Sequence, residues 1–408
     1  MGKDSVDLLS NKWQRYVVYR GENKNKTQKA TPMQSKYYSE NWYDATDKFY
    51  KNASKVGNVR WCVSDKTKYD IPYILIGNGP RKVVINSGVH GIEGYFGSAA
   101  QNMFLSDFVP MLDDKICEHY TIALIHVING WGMQNRMREV RDFEHDGALV
   151  DLNRNFGIDF SRPDELPKNP KYDIAHDLLL SRPDEVNKKK AIYDFSKAHK
   201  HDGVWAAISH GQYVHPYGLF YGGCVPMTEN KMTMDIYDDI MTPDAKSLTS
   251  IGLHTGLGRF WRKESRVTGQ MLVSHPFAHE NTQFFYSLLA GTNIPVDFDN
   301  NAVFKPTLLG DLVDCLENRY KSRNIPIRTA DFEIGTGEFP IMSPVNKRMD
   351  MGDARYDLLH YGKINPMTWE HLTESWYPSD AGWRRDALMK TREVFASLIY
   401  DMQKGKIK

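Results

Sequence analysis

The chain has no surplus of either charge, few cysteines and no long apolar run. Across 408 residues, 52 Lys and Arg stand against 51 Asp and Glu, a formal charge of +1. A basic footprint for nucleic acid or an anionic membrane surface is therefore not expected. The four cysteines, Cys62, Cys117, Cys224 and Cys315, form no C-x-x-C pair. They read as buried or incidental thiols of a reducing compartment. No stretch approaches the roughly 18 apolar residues that span a bilayer. The opening MGKDSVDLLSNKWQRY lacks the apolar centre of a signal peptide, and Val6 breaks the myristoylation pattern. A soluble, cytoplasmic protein is expected.

What is present is globular: 41% hydrophobic and 25% charged residues. The length suits one large α/β domain or two ordinary ones. Apolar positions Trp42, Tyr43, Ala45, Phe49 and Tyr50 predict a helix within 39–55. Beyond it, short apolar runs alternate with helical stretches, the pattern of an α/β sheet. Strands are predicted at Ile71–Ile76, Lys82–Asn86, Thr121–Ile128, Val204–Ser209, Leu248–Leu253 and Arg328–Glu333. Several are apolar on both alternations, as central strands covered on both faces require. The expected fold is a central mixed, mostly parallel twisted sheet with helices on both faces. Residues 157–203 turn polar and read as an insertion within a single domain covering 1–408. There the pentapeptide SRPDE occurs at Ser161–Glu165 and Ser181–Glu185, read as two helix starts.

The chemistry gathers at strand ends. The strand at Lys82–Asn86 runs into SGVHGIEGYFGSAAQ, where His90 and Glu93 lie three residues apart. An imidazole and a carboxylate are good zinc ligands. H-x-x-E alone is common on surface helices, but its position counts, because open α/β sheets bind ligands beyond the carboxyl ends of their strands. After Thr121–Ile128, Arg136, Arg138, Arg141 and Arg154 follow within twenty residues, with Asn153 beside Arg154. Guanidinium groups grip carboxylates and stabilise oxyanions. The competing reading of Arg136 and Arg141 is a salt-bridged helix face matched by Glu139, Asp142 and Glu144.

HGIEG, NRMREVR and DLNRNF, in this order, resemble the zinc carboxypeptidase superfamily. With GQYVHPYGLFYGG, HTGLG, FEIGTG and YPSDAGWRRDALMKTREV, the chain is closest to an uncharacterised bacterial branch of it, described as a domain of unknown function. The resemblance spans roughly residues 35 to 400. It implies one Zn²⁺, with His90 and Glu93 as the first two ligands. The third is His254, in TSIGLHTGLG, or alternatively His210, in AAISHGQY; His254 is preferred for its distance to the candidate base. Arg138 matches the arginine that polarises the scissile carbonyl, with Arg136 as runner-up. Asn153 and Arg154 match the pair that holds a substrate's terminal carboxylate. Glu333 of FEIGTGEF is the implied general base, ahead of Glu338.

Other features fit less well. Tyr213, Tyr217 and Tyr221 lie in the Gly- and Tyr-rich loop that walls the pocket, and Tyr213 is retained as a substrate-binding candidate. His275 and His279 are four apart but lack the glutamate of H-E-x-x-H. His145 reads as a surface loop position. Arg259, Arg262, Lys263 and Arg266 read as a solvated loop or as a preference for acidic substrates. The resemblance implies a zinc metallopeptidase that cleaves an amide next to a free carboxylate in a small peptide. An N-acyl amino acid deacylase of the desuccinylase or aspartoacylase type is the second reading. A binding module that keeps the fold without catalysis is the third.

Overall fold

The computed structural model describes residues 36–181, 188–198, 209–273, 278–298, 310–337 and 344–407. The strands are β1 (Val59–Cys62), β2 (Ile71–Ile76), β3 (Arg81–Ser87), β4 (Tyr120–Ile125), β5 (Val140–Arg141), β6 (Leu149–Val150), β7 (Ser247–Trp261), β8 (Arg266–Val267), β9 (Gly269–Val273), β10 (Val296–Phe298) and β11 (Ile327–Gly337). Nine of them form one sheet in the order β1-β2-β4-β3-β7-β11-β9-β10, with β8 paired to β7. The central run β4-β3-β7-β11 is parallel. Antiparallel pairs flank it, β1 with β2, β2 with β4, and β9 with β11. β5 and β6 make a separate hairpin.

The sequence explains why the parallel strands lie in the middle. Val83, Val84 and Ile85 are all fully buried, a β-branched run that suits a strand covered on both faces. Alternation sends Val83 and Ile85 into one core, with Phe96, Trp383 and Phe395. Val84 enters a second core on the opposite face, with Ile236, Tyr237 and Leu316. The sheet is thus sandwiched between helices, as the alternating pattern predicts.

Differences from the sequence reading are local. Ile71–Ile76 coincides with β2, whereas the apolar run from Thr121 to Ile128 leaves the sheet after Ile125. β7 continues to Trp261, well past Leu253, through Gly256 and Gly258, whose φ values are +130° and +113°. Glycines at such angles break the apolar pattern without ending the strand. The first SRPDE is a short 3₁₀ turn at Pro163–Glu165 with no side-chain cap, and the next helix, Pro170–Leu179, is capped by Asn169. Of the second SRPDE only Ser181 is described, and of the strand predicted at 204–209 only Ser209, outside any strand. His275 and Glu338 lie outside the described residues, as does the side chain of His279. Among the described residues, no helix is long and apolar enough to cross a membrane.

The topology defines one crevice. From β3 the chain crosses to β4 on one side, and β7 later joins β3 on the other. The carboxyl end of β3, and the middle of the longer β7 beside it, therefore flank a switch point, where open α/β sheets bind ligands. Register sets what meets there: Ser87 pairs with Leu253, and His254 pairs with Glu333.

The helix Ala381–Gln403 closes the face over β11. Its Trp383 is fully buried and donates from the indole nitrogen to the Gly335 carbonyl at 2.8 Å. Trp383→Ala should lower the unfolding free energy by about 3–5 kcal/mol, read from the shift of a denaturant midpoint. A loss below about 1 kcal/mol would show that the helix is not anchored through this side chain.

Candidate metal centre

His90 and Glu93 sit on a short turn after β3, the 3₁₀ segment Gly91–Glu93. Two backbone hydrogen bonds fix this turn: Gly91 N–H donates to the Arg138 carbonyl at 3.0 Å, and Ile92 N–H to the Met137 carbonyl at 2.8 Å. The approach requires glycine, because a Cβ on Gly91 would lie 2.2 Å from the Gly132 backbone. HGIEG and the Arg-rich segment are thus held together by main-chain contact.

Glu93, 1% exposed, is the hub. Its Oε1 lies 3.0 Å from His90 Nδ1 and accepts from Arg138 Nη1 at 3.2 Å. Its Oε2 lies 3.1 Å from His254 Nδ1 and accepts from Thr255 N–H at 3.0 Å. Ligating atoms of His90, Glu93 and His254 all fall within 4.8 Å of one another. Behind each imidazole stands a carboxylate: Asp151 Oδ1 is 3.4 Å from His90 Nε2, and Asp331 Oδ1 is 3.4 Å from His254 Nε2. The two Nδ1 atoms thus face Glu93, while each Nε2 lies near a carboxylate, on the side from which outer carboxylates act on metal-binding histidines.

The charges favour a cation here. Burial alone would raise the Glu93 pKa, but His90 and His254 outweigh it and hold the carboxyl well below its ordinary value. Burial opposes charge on His254, yet Asp331 and Glu93 push its pKa well above the usual range. A proton on His254 supplies the positive charge that two carboxylates demand. Two imidazoles and one carboxylate form the donor set of an open, catalytic-type zinc site, so the residues fit the metal.

Glu333 lies one strand away, in register with His254, and is 8% exposed. Burial raises its pKa to about 7, with Glu93 adding to the shift and His254 opposing it. Its Oε2 accepts from Leu257 N–H at 3.2 Å. Arg138 bonds Asp151 through Nε at 3.2 Å, and its guanidinium sits between the Trp376 and Phe220 rings, 5.0 and 5.7 Å from their centres. Arg136 is separate: in left-handed conformation it ends the helix Gly130–Asn135 and stacks on Trp369 at 4.9 Å. The competing reading, a salt-bridged helix face, does not form, because that helix stops before Glu139, which pairs with Arg355 at 3.0 Å.

The remaining sequence candidates form an adjoining buried knot. Arg154 donates through Nε and Nη2 to the Ser209 carbonyl, at 3.0 and 2.6 Å, and through Nη1 to the Asn153 carbonyl at 2.5 Å. Asn153 Oδ1 accepts from Leu312 N–H at 3.0 Å, and the Tyr213 hydroxyl donates to the Arg154 carbonyl at 2.7 Å. His210 is outside the His90–Glu93–His254 group. Burial, with Arg154 and Lys171 nearby, lowers its pKa to about 4.

Asp151 and Asp331 were missed by sequence reasoning. Both carried a signal: Asp151 opens DLNRNF, and Asp331 lies two residues before Glu333, hence on the same strand face.

The family model described as "Protein of unknown function (DUF2817)" matches residues 38–390. The chain belongs to this family. No curated protein matches the chain by sequence. Among solved structures, it resembles bovine thrombin-activatable fibrinolysis inhibitor in complex with tick carboxypeptidase inhibitor. The identity is 11% and the TM-score 0.52, over 90% of this chain and 98% of that one. Carboxypeptidase A from Helicoverpa armigera matches at 11% identity and TM-score 0.46, over 95% and 81% of the two chains. A metallo-carboxypeptidase from Pseudomonas aeruginosa matches at 10% and 0.41, over 89% and 69%. The first of these shows a carboxypeptidase-like fold for this DUF2817 member.

Zinc binding at neutral pH should release protons, because His254 must lose its raised-pKa proton to ligate. A cation beside Glu333 should also favour its ionised form and so release a further proton. The affinity should weaken as pH falls. Calorimetry in two buffers of different ionisation enthalpy measures the proton count; a count of zero would remove His254 as a ligand.

Proposed function

We propose that this DUF2817 chain is a zinc-dependent hydrolase that cleaves an amide bond next to a free carboxylate, in the manner of a metallocarboxypeptidase. The observation that carries this reading is the meeting of His90, Glu93 and His254 with Glu333 in register beside them. One Zn²⁺ held by the first three would supply Lewis acidity for the amide carbonyl and lower the pKa of the attacking water. Glu333 accepts that water's proton and passes it to the leaving amine, a task suited to a carboxyl whose pKa lies near neutrality. Arg138, held by Asp151 and two aromatic rings, presents its guanidinium to the developing oxyanion. Asn153 and Arg154 bind the substrate's free carboxylate, with Tyr213 bracing the Arg154 backbone. The substrate is a small peptide.

The tripeptide Leu253-His254-Thr255 favours a second reading, an N-acyl amino acid deacylase built on the same residues. A panel of short peptides and N-acyl amino acids separates the two, and turnover of the acyl amino acids alone would overturn the peptidase assignment.

Elemental analysis of wild type, His254→Ala and His210→Ala should find one equivalent of zinc lost only from His254→Ala. Loss confined to His210→Ala would move the third ligand, and a wild type without zinc would favour a non-catalytic binding role. Glu333→Gln should keep its zinc while turnover falls by about 10²–10⁴-fold. A variant retaining most of its activity would remove Glu333 as the base.

A further inference from the structure

The hairpin β5–β6 links the two buried groups that flank His90: Arg138 precedes β5, and Asp151 follows β6. At its tip a second convergence of ligating side chains occurs, unrelated to the centre above. Asp142 is 4% exposed, and its Oδ1 accepts from the backbone N–H of Glu144 at 2.9 Å and of His145 at 3.1 Å. Its Oδ2 lies 2.9 Å from His145 Nδ1. Cys224, exposed on a separate turn, completes the group. Ligating atoms of Asp142, His145 and Cys224 lie within 4.8 Å of one another.

From this geometry we infer a second metal site, formed by Asp142, His145 and Cys224, that takes a borderline-soft divalent cation such as Zn²⁺. The mixed oxygen, nitrogen and sulfur donors select such an ion over Mg²⁺ or Ca²⁺, which prefer oxygen alone. Cys224 binds as thiolate, releasing its proton to solvent. The carboxylate is already fixed by two backbone N–H groups, so little ordering is needed at that ligand. The turn is placed as well: Asp151 N–H donates to the Tyr221 carbonyl at 2.8 Å, three residues before Cys224. An ion here would pin the hairpin tip to the same turn that braces Asp151 at the hairpin's base. The role is structural, and it stands whether or not the proposed hydrolase activity does.

The test counts metal and reads its ligands. Protein dialysed against Zn²⁺ should hold two ions per chain, falling to one in Cys224→Ser, in His145→Ala and in His254→Ala. Loading with Co²⁺ adds a signature independent of turnover, because the His90–Glu93–His254 group contains no sulfur. A near-ultraviolet thiolate-to-cobalt charge-transfer band should appear in wild type and in His254→Ala and vanish in Cys224→Ser. One ion in wild type, lost with His254→Ala, and no such band would overturn the second site. Two ions retained in the conservative Cys224→Ser would overturn it too. Failure of the hydrolase centre would look different: His254→Ala would leave the metal count unchanged.

Discussion

A carboxylate with almost no solvent contact needs its charge answered on every side, and Glu93 is answered by two imidazoles, a guanidinium and a backbone N–H. Breaking any one partner of a buried charge leaves the rest uncompensated, at a cost of several kcal/mol, roughly 3–5 for a buried pair. The surrounding elements therefore depend on one another. β3 must end where it does to raise His90 and Glu93, β7 must run in register to bring His254 opposite, and the Gly91–Gly132 approach must hold Arg138 within reach.

The outer ring of charges follows from the first. Asp151 and Asp331 sit behind the two histidines, and Asp151 also bonds Arg138. Burial would raise the Asp151 pKa, but Arg138, Arg154 and His90 hold it well below the ordinary value. Acidic and basic side chains alternate from Glu93 outward, which lets a dense set of ionisable groups stay buried together. Glu333 differs, since its only hydrogen bond among the described residues comes from a backbone N–H. Weak compensation leaves its pKa near 7, in the range that suits a group exchanging protons.

The loop following the hairpin plays a supporting part that its composition does not announce. Arg154, a strong candidate for direct carboxylate binding, directs three nitrogens at the carbonyls of Ser209 and Asn153. It therefore orders the segment around His210 and Tyr213. His210 follows an apolar run, as His254 does, yet only His254 lies on a strand adjacent to β3. Two similar local patterns thus end in different places because sheet order, not sequence, decides which strand neighbours the first ligands.

Much of this molecule is legible in one dimension. The apolar runs locate β2, β3, β4, β7 and β11, because strands covered on both faces must be apolar throughout. HGIEG, HTGLG and FEIGTG mark His90, Glu93, His254 and Glu333, because imidazoles and carboxylates beside glycines at or within apolar strands stand out against the hydrophobic runs. Tertiary structure decided the rest. The register that sets Glu333 opposite His254, the carboxylates behind each imidazole, the separation of Arg136 from Arg138, and the meeting of Asp142 and His145 with Cys224 join residues far apart in the chain or oriented by backbone angles. Such contacts arise from packing and hydrogen bonding between elements, and local composition does not encode which elements will meet.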